Sequence, residues 1–363
     1  MKICSFMLFL LFFINKANAG SIEMDYSMSL GNFYGYTDYS SSTPLKYKTN
    51  NLNSSLNAYT KLSYNINYDY KASLISYIMI DTAKEVENYN QGYWGEEFFA
   101  EFESPTGVFT VGQDYNVAYN FSVGAPNAGP IKINNTELTN FITNPNWYKK
   151  GSKSSYKTLN STYINTDGAS FKLNYVTPSV LNTKLGFSYI PNTNSSAGLV
   201  SKDSLYYNDE AYVFGLYNYF YLKDYEIETS LGYGNYKNNS EEYSLGMSIY
   251  RKGWTLGASY LKTSAQTKKA LLTLQDAYRE GYAYNLGLSY EIGPLTTGIA
   301  YFNSKSDKFS NQNEIISFSN SYKYNKYTTL SLTLAKQNAK DDKTTKGYAT
   351  ILGLEFALWK KYV

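Results

Sequence analysis

Neighbouring acids such as Glu96-Glu97 and Glu241-Glu242 are the first residues to test for chemistry, because paired carboxylates can hydrolyse glycosides. On a strand, however, adjacent side chains point to opposite faces, so adjacency does not make a catalytic pair. The chain contains no histidine, and its single cysteine is Cys4. Neither a Ser/His triad nor a Cys/His pair can be assembled, and no Cys-ligated metal is expected. Gly232-x-Gly234 has no helix after it and does not read as a phosphate cradle. It suits a wall position where backbones crowd. These residues predict a protein that is not an enzyme and needs no cofactor.

What remains is charge in alternating segments. The last residues, Tyr348 to Val363, place Tyr348, Thr350, Leu352, Leu354, Phe356 and Leu358 on one parity, and Ala349, Ile351, Gly353, Glu355 and Ala357 on the other. A period of two sends these sets to opposite sides of a sheet. One side is apolar and the other mostly small with a carboxylate, as in a transmembrane β-barrel with hydrocarbon outside and water inside. Leu352, Leu354, Phe356 and Leu358 are therefore expected to face lipid.

The N-terminus gives the address. Lys2 precedes an apolar run from Ile3 to Ile14, and Ala17-Asn18-Ala19 forms a small-x-small cleavage site before Gly20. The run is shorter than the roughly 20 residues a spanning helix needs. Residues 1–19 read as a signal peptide and 20–363 as the mature barrel domain. Without Lys2 and Lys16, 31 basic residues face 30 acidic ones, which gives no footprint for nucleic acid. Mean hydropathy is −0.42 although 41 tyrosines and 19 phenylalanines are present. A barrel reconciles the two, since only half of each strand must be apolar.

Strands are expected near 22–31, 53–66, 70–81, 95–103, 107–113, 168–176, 184–190, 210–221, 225–236, 242–251, 254–263, 280–292, 295–304, 312–324, 327–337 and 346–359. That makes about sixteen, an even count that returns both ends to the periplasm. Tyr282, Tyr284, Leu286, Leu288 and Tyr290 put aromatics at both ends of a leucine band, as interfacial girdles do. The rhythm stops over 114–167, a long irregular stretch of the functional kind. Within it, 155–165 reads as a strand meeting 169–176 across Asn165-Thr166-Asp167-Gly168, a hairpin extension above the membrane.

Opposite the apolar parity, Glu23, Asp25, Glu97, Glu101, Glu226, Glu228, Glu242, Glu291 and Glu355 read as inward acids. Lys61, Lys71, Lys172, Lys184 and Lys323 read as inward bases. Rings of fixed charge govern ion selectivity in a pore, whereas charges at the rims are screened by water.

The segment Phe98-Phe-Ala-Glu-Phe-Glu-Ser-Pro-Thr-Gly-Val-Phe-Thr-Val-Gly-Gln-Asp-Tyr-Asn-Val-Ala-Tyr119 resembles the strand, turn, strand and G-R-x-Y stretch of the Gram-negative general porins. Leu173 to Pro191 is similar to the stretch after their constriction loop. The resemblance implies a sixteen-stranded, water-filled, usually homotrimeric barrel in outer-membrane lipid, with the third extracellular loop folded into the lumen. It implies passage of small hydrophilic solutes and ions. Gln113 stands where the family commonly has arginine, removing a positive charge and favouring cations. Asp114, Lys132 and Glu137 are the loop charges nearest its middle, and with Gln113, Lys61, Glu97 and Glu101 they form the candidate constriction. Tyr115 and Tyr119 read equally as packing the loop to the wall or as ordinary interfacial tyrosines. The family tends to end on an aromatic read by the assembly machinery; here Phe356 and Trp359 are followed by Lys-Lys-Tyr-Val. The competing readings are a substrate-specific channel, or a surface adhesin or structural barrel whose lumen is plugged by 114–167.

Overall fold

Period-two alternation is realised as one continuous ladder. The computed structural model describes residues 21–41, 50–81, 93–129, 159, 161–193, 210–237, 240–265, 280–307, 312–340 and 344–362. The signal-peptide reading of 1–19 lies outside these residues, as do Lys132 and Glu137.

The first five strands are β1 (Ile22–Ser41), β2 (Asn50–Asn65), β3 (Lys71–Asp81), β4 (Tyr93–Ser104) and β5 (Gly107–Gln113). A one-turn helix, α1 (Val117–Asn120), precedes β6 (Phe171–Val176), β7 (Thr183–Ile190), β8 (Ala211–Leu222) and β9 (Tyr225–Tyr236). Then come β10 (Ser240–Arg251), β11 (Trp254–Ala265), β12 (Gly281–Ile292) and β13 (Leu295–Ser306). The wall ends with β14 (Gln312–Lys323), β15 (Thr328–Lys340) and β16 (Thr344–Tyr362). Each strand pairs antiparallel with its sequence neighbours, and β1 pairs with β16, so a sixteen-stranded barrel closes. Closure leaves no sheet edge with unpaired backbone groups, a condition for a sheet in lipid.

The faces fall as the alternation requires. On β16, Leu352 is 55% exposed while the next residue towards the N-terminus, Ile351, is 1% exposed. Phe356 and Leu358 are exposed with Leu352, and Leu354 is half-buried in the same row. Leu30 of β1 continues that row opposite Phe356, and Leu330 of β15 lies opposite Leu354. An apolar surface running around a closed barrel is a lipid contact.

Most strand limits match the alternation. β1 is the exception, continuing to Ser41 where the sequence suggested an end near 31. Beyond Gly31, where the expected strand ends, Gly35 still pairs with Ile351 and Ser41 with Thr345, so β16 carries β1 onward.

Candidate functional site

After β5 the chain leaves the wall and turns inside the barrel. Asn116 caps α1, its Oδ1 accepting from the Tyr119 N–H at 2.9 Å. The Val117 N–H donates to Ser188 Oγ at 2.9 Å, and the Val123 N–H to Ser230 Oγ at 3.0 Å. The Ala125 N–H donates to Asn285 Oδ1 at 3.0 Å. Ser188, Ser230 and Asn285 occupy lumen-facing positions of β7, β9 and β12, so residues 117–129 run along the inner wall.

The wall is thinned to receive them. Gly186, Gly215, Gly232, Gly246, Gly257, Gly287 and Gly298 lie on successive strands β7 to β13. A Cβ at Gly246 would sit 1.9 Å from the Val123 carbonyl oxygen, and one at Gly257 would sit 2.2 Å from that of Gly124. Backbone against backbone leaves no room for a side chain. Further round, Ala125 joins an inward apolar cluster with Phe33, Phe302, Ile315, Ala335 and Ile351. The inner wall is thus partly apolar where the segment covers it.

The returning segment corrects the expected hairpin. Its turn does form, with the Gly168 N–H donating to Asn165 O at 2.9 Å and Gly168 at φ +52°. Residues 161–170, however, contain no strand and lie within the barrel. Ile164 is fully buried against the inner faces of Gly232 and Gly234, and Thr162 Oγ1 meets Ser259 Oγ at 2.6 Å. An apolar side chain gains more in that groove than above the membrane in water.

Both ends of the segment are tied together. Asn116 Nδ2 donates to Ile164 O at 2.9 Å and to Asp167 Oδ1 at 2.7 Å, and the Tyr236 hydroxyl donates to the same carboxylate oxygen at 2.8 Å. Lys172 Nζ donates to Gly168 O and Ser170 O at 2.9 Å each, and to Asp114 O. Asp114 accepts from Asn174 Nδ2 at 2.9 Å and from the Tyr115 N–H at 2.7 Å. Tyr115 and Tyr119 stack on one another at 4.1 Å between ring centroids, and Tyr163 meets Tyr119 edge-on at 5.8 Å.

The candidate constriction residues therefore separate. Lys61 and Glu101 form a partly buried ion pair at 2.7 Å on the inner face of β2 and β4, with Glu103 at 3.3 Å from the same ammonium. Glu97 shares that inward row of β4 and is half-buried. Asp114 is buried at the root of the loop. Gln113, named as a candidate constriction residue, is 8% exposed, with Phe98 and Phe171 as cross-strand partners. Lys172 and Glu242 do point inward but are sealed under the returning segment, where Thr166 donates to Glu242. They are loop anchors rather than wall charges.

Elsewhere on the wall Lys71 reaches Glu23 at 3.7 Å, and Lys323 reaches Glu291 at 3.9 Å. Glu226 and Glu228 accept from the Tyr219 and Tyr217 hydroxyls at 2.7 and 2.8 Å. At the extracellular edge, hydrogen bonds from Tyr212 and Tyr189, then Lys237, hold the Glu210 carboxyl below the usual range. Sequence reasoning missed Asn116, Asp167, Asn174 and Ser188. The one available signal was a small residue recurring at an inward position on strand after strand.

Residues 17–342 match the family model of the Gram-negative porins. An anion-selective porin from Comamonas acidovorans superposes with a TM-score of 0.60 at 12% identity, over 94% of this chain and 100% of that one. OmpF of Salmonella typhi, in complex with daunomycin, gives 0.60 at 12% identity over 92% and 97%. The trimer form of Vibrio cholerae OmpT gives 0.55 at 11% identity over 94% and 100%. At such identities the likeness is one of fold. No curated protein matches the chain.

Proposed function

The chain belongs to the Gram-negative porins, and from that premise we propose a passive diffusion channel for small hydrophilic solutes and ions, mildly preferring cations. As a member of that family it is an outer-membrane protein forming a transmembrane channel. Passage would be driven by concentration gradients, without catalysis or cofactor. Assembly as a homotrimer is part of the proposal, supported by the family and by the trimer form of the OmpT neighbour.

The observation that carries the cation preference is the charge on the wall of β1 to β4. There Glu23, Asp25, Glu101 and Glu103 face inward beside Lys61 and Lys71, and both lysines are already engaged by carboxylates. The Lys61 and Glu101 side chains stay partly exposed and Glu103 is more exposed still, which supports solute passing along this charged wall. Fixed carboxylates beside confined water raise the local cation concentration. The bulk of the inner segment further supports exclusion by width.

Purified protein in planar bilayers tests the proposal. Stepwise conductance, with a reversal potential in a potassium chloride gradient displaced towards the potassium equilibrium potential, is expected. No conductance would favour a plugged structural or adhesive barrel, and anion preference at low salt would overturn the charge argument.

A further inference from the structure

Near the periplasmic turn Lys223–Asp224, the inward faces of β8, β9 and β10 carry rings and carboxylates that the bulk-diffusion reading leaves unused. Tyr217, Tyr219 and Tyr221 alternate along β8, and Glu226 and Glu228 alternate along β9. Tyr221 lies opposite Glu226 on one side, and Tyr250 of β10 lies opposite it on the other. The Tyr219 and Tyr221 rings meet edge to face, with centroids 5.0 Å apart and planes at 79°, forming two walls of a corner. Tyr221 is 66% exposed and Tyr250 41%, so ring surface is open to the lumen. Above them Phe121 of the inner segment sits 6.1 Å from Tyr217.

The charge at the centre of this corner is carried by two carboxylates, Glu226 and Glu228. Tyr219 donates to Glu226 and Tyr217 to Glu228, so each carboxylate is oriented by a phenol. Neither Glu226 nor Glu228 has a lysine or arginine within ion-pair distance among the described residues. Lys184 faces the lumen beside Tyr217, and Arg251 at the turn is held by Asp224 at 3.1 Å. A phenol donating to a carboxylate has a more electron-rich ring, and ring faces attract cations by their quadrupole.

We propose that this aromatic and acidic corner is a binding site for organic ammonium ions, Tyr219, Tyr221 and Tyr250 supplying ring faces and Glu226 and Glu228 the counter-charge. A bare alkali ion keeps its water and gains little from ring faces. An alkylated ammonium ion sheds water easily and takes both contacts. A neutral sugar would stack on the rings without using the unpaired charge. The inference rests on the channel reading and gives the pore a preference among cations rather than for cations alone.

Single-channel recording with tetraethylammonium chloride added to a potassium chloride bath is the test. The potassium current alone reports whether the protein conducts, so failure of the channel reading is seen before the probe is added. Given that current, tetraethylammonium is expected to interrupt it at millimolar concentration. Tyr221→Leu with Tyr250→Leu, and separately Glu226→Gln, should each raise the half-blocking concentration about tenfold. Glu226→Gln keeps the size and hydrogen-bonding capacity of the side chain, so its effect reports charge. Uninterrupted current, equal block in the variants, or interruption by maltose at the same concentration would each overturn the site.

Discussion

Lys172 and Asp167 form an ion pair at 3.1 Å in which both side chains are fully buried. The pair lies inside a membrane barrel, at the root of the segment that leaves the wall after Gln113 and rejoins it at Phe171. Three backbone carbonyls also accept from the same ammonium, so Lys172 is surrounded by acceptors. Asp167 depends on Lys172 for one oxygen and on Asn116 and Tyr236 for the other.

Unequal partners predict unequal losses. Lys172→Met strands a buried carboxylate and should cost about 3–5 kcal/mol, the usual penalty for breaking a buried pair on one side. Asp167→Asn should cost less, because the carbonyls of Asp114, Gly168 and Ser170 still hold the ammonium. The double variant should recover part of the Lys172→Met loss. Urea unfolding in lipid vesicles measures all three, and equal losses in the two single variants would contradict the asymmetry.

Seating of the inner segment makes a second prediction. Gly246→Ala puts a methyl group where the Val123 carbonyl lies, and overpacking of this kind typically costs about 1–3 kcal/mol. Gly129→Ala is the control, since its Cβ would find nothing nearer than 3.5 Å. Gly246→Ala should lower the thermal midpoint and add current noise as the segment loosens from the wall. If both variants behave as wild type, the close approach at β10 is not a real constraint.

The barrel was legible because its cause is local. Each strand shows its lipid face by period two, so Leu256 and Leu286 could be placed outward and Glu228 and Glu355 inward from residue parity alone. The inner segment was not legible in the same way. Ala125 and Asn285 are hydrogen-bonded across 160 residues of chain, and no local pattern announces such a partner. Lys172 shows the limit most clearly: parity gave its direction correctly, while its burial depended on a segment folding over it. Gln113 was placed by resemblance rather than parity, and its burial among the last residues of β5 depends on neighbours on β4 and β6 that no local pattern shows.

A third prediction separates the two faces of β16. Leu354→Arg should cost about 2–4 kcal/mol if it lies near the bilayer midplane, because a charge there faces hydrocarbon. Gly353 faces inward, but its Cβ would meet the Phe33 ring at 2.7 Å, so it is no neutral comparison. Glu355→Gln is the better one, as it removes a charge on the water side and should leave folding nearly unchanged. A denaturant titration of refolding into vesicles compares them, and a negligible cost for Leu354→Arg would remove that row from the lipid boundary.

The last prediction concerns Lys61, which stands opposite Asp25 in the β1–β2 register and bonds both Glu101 and Glu103. It neutralises part of a wall that otherwise carries acids. Lys61→Gln keeps a hydrogen-bond donor for one carboxylate and deletes the charge, so the wall of β1 to β4 becomes more negative. Cation preference should therefore rise, seen as a reversal potential moved further towards the potassium equilibrium value. The change should be largest near 0.1 M salt, where the Debye length is about 10 Å, and should shrink towards 1 M, where it is about 3 Å. Glu101→Gln should move the potential the opposite way. A salt-independent change would point to altered pore width, and no change in either variant would place the Lys61 cluster outside the conducting path.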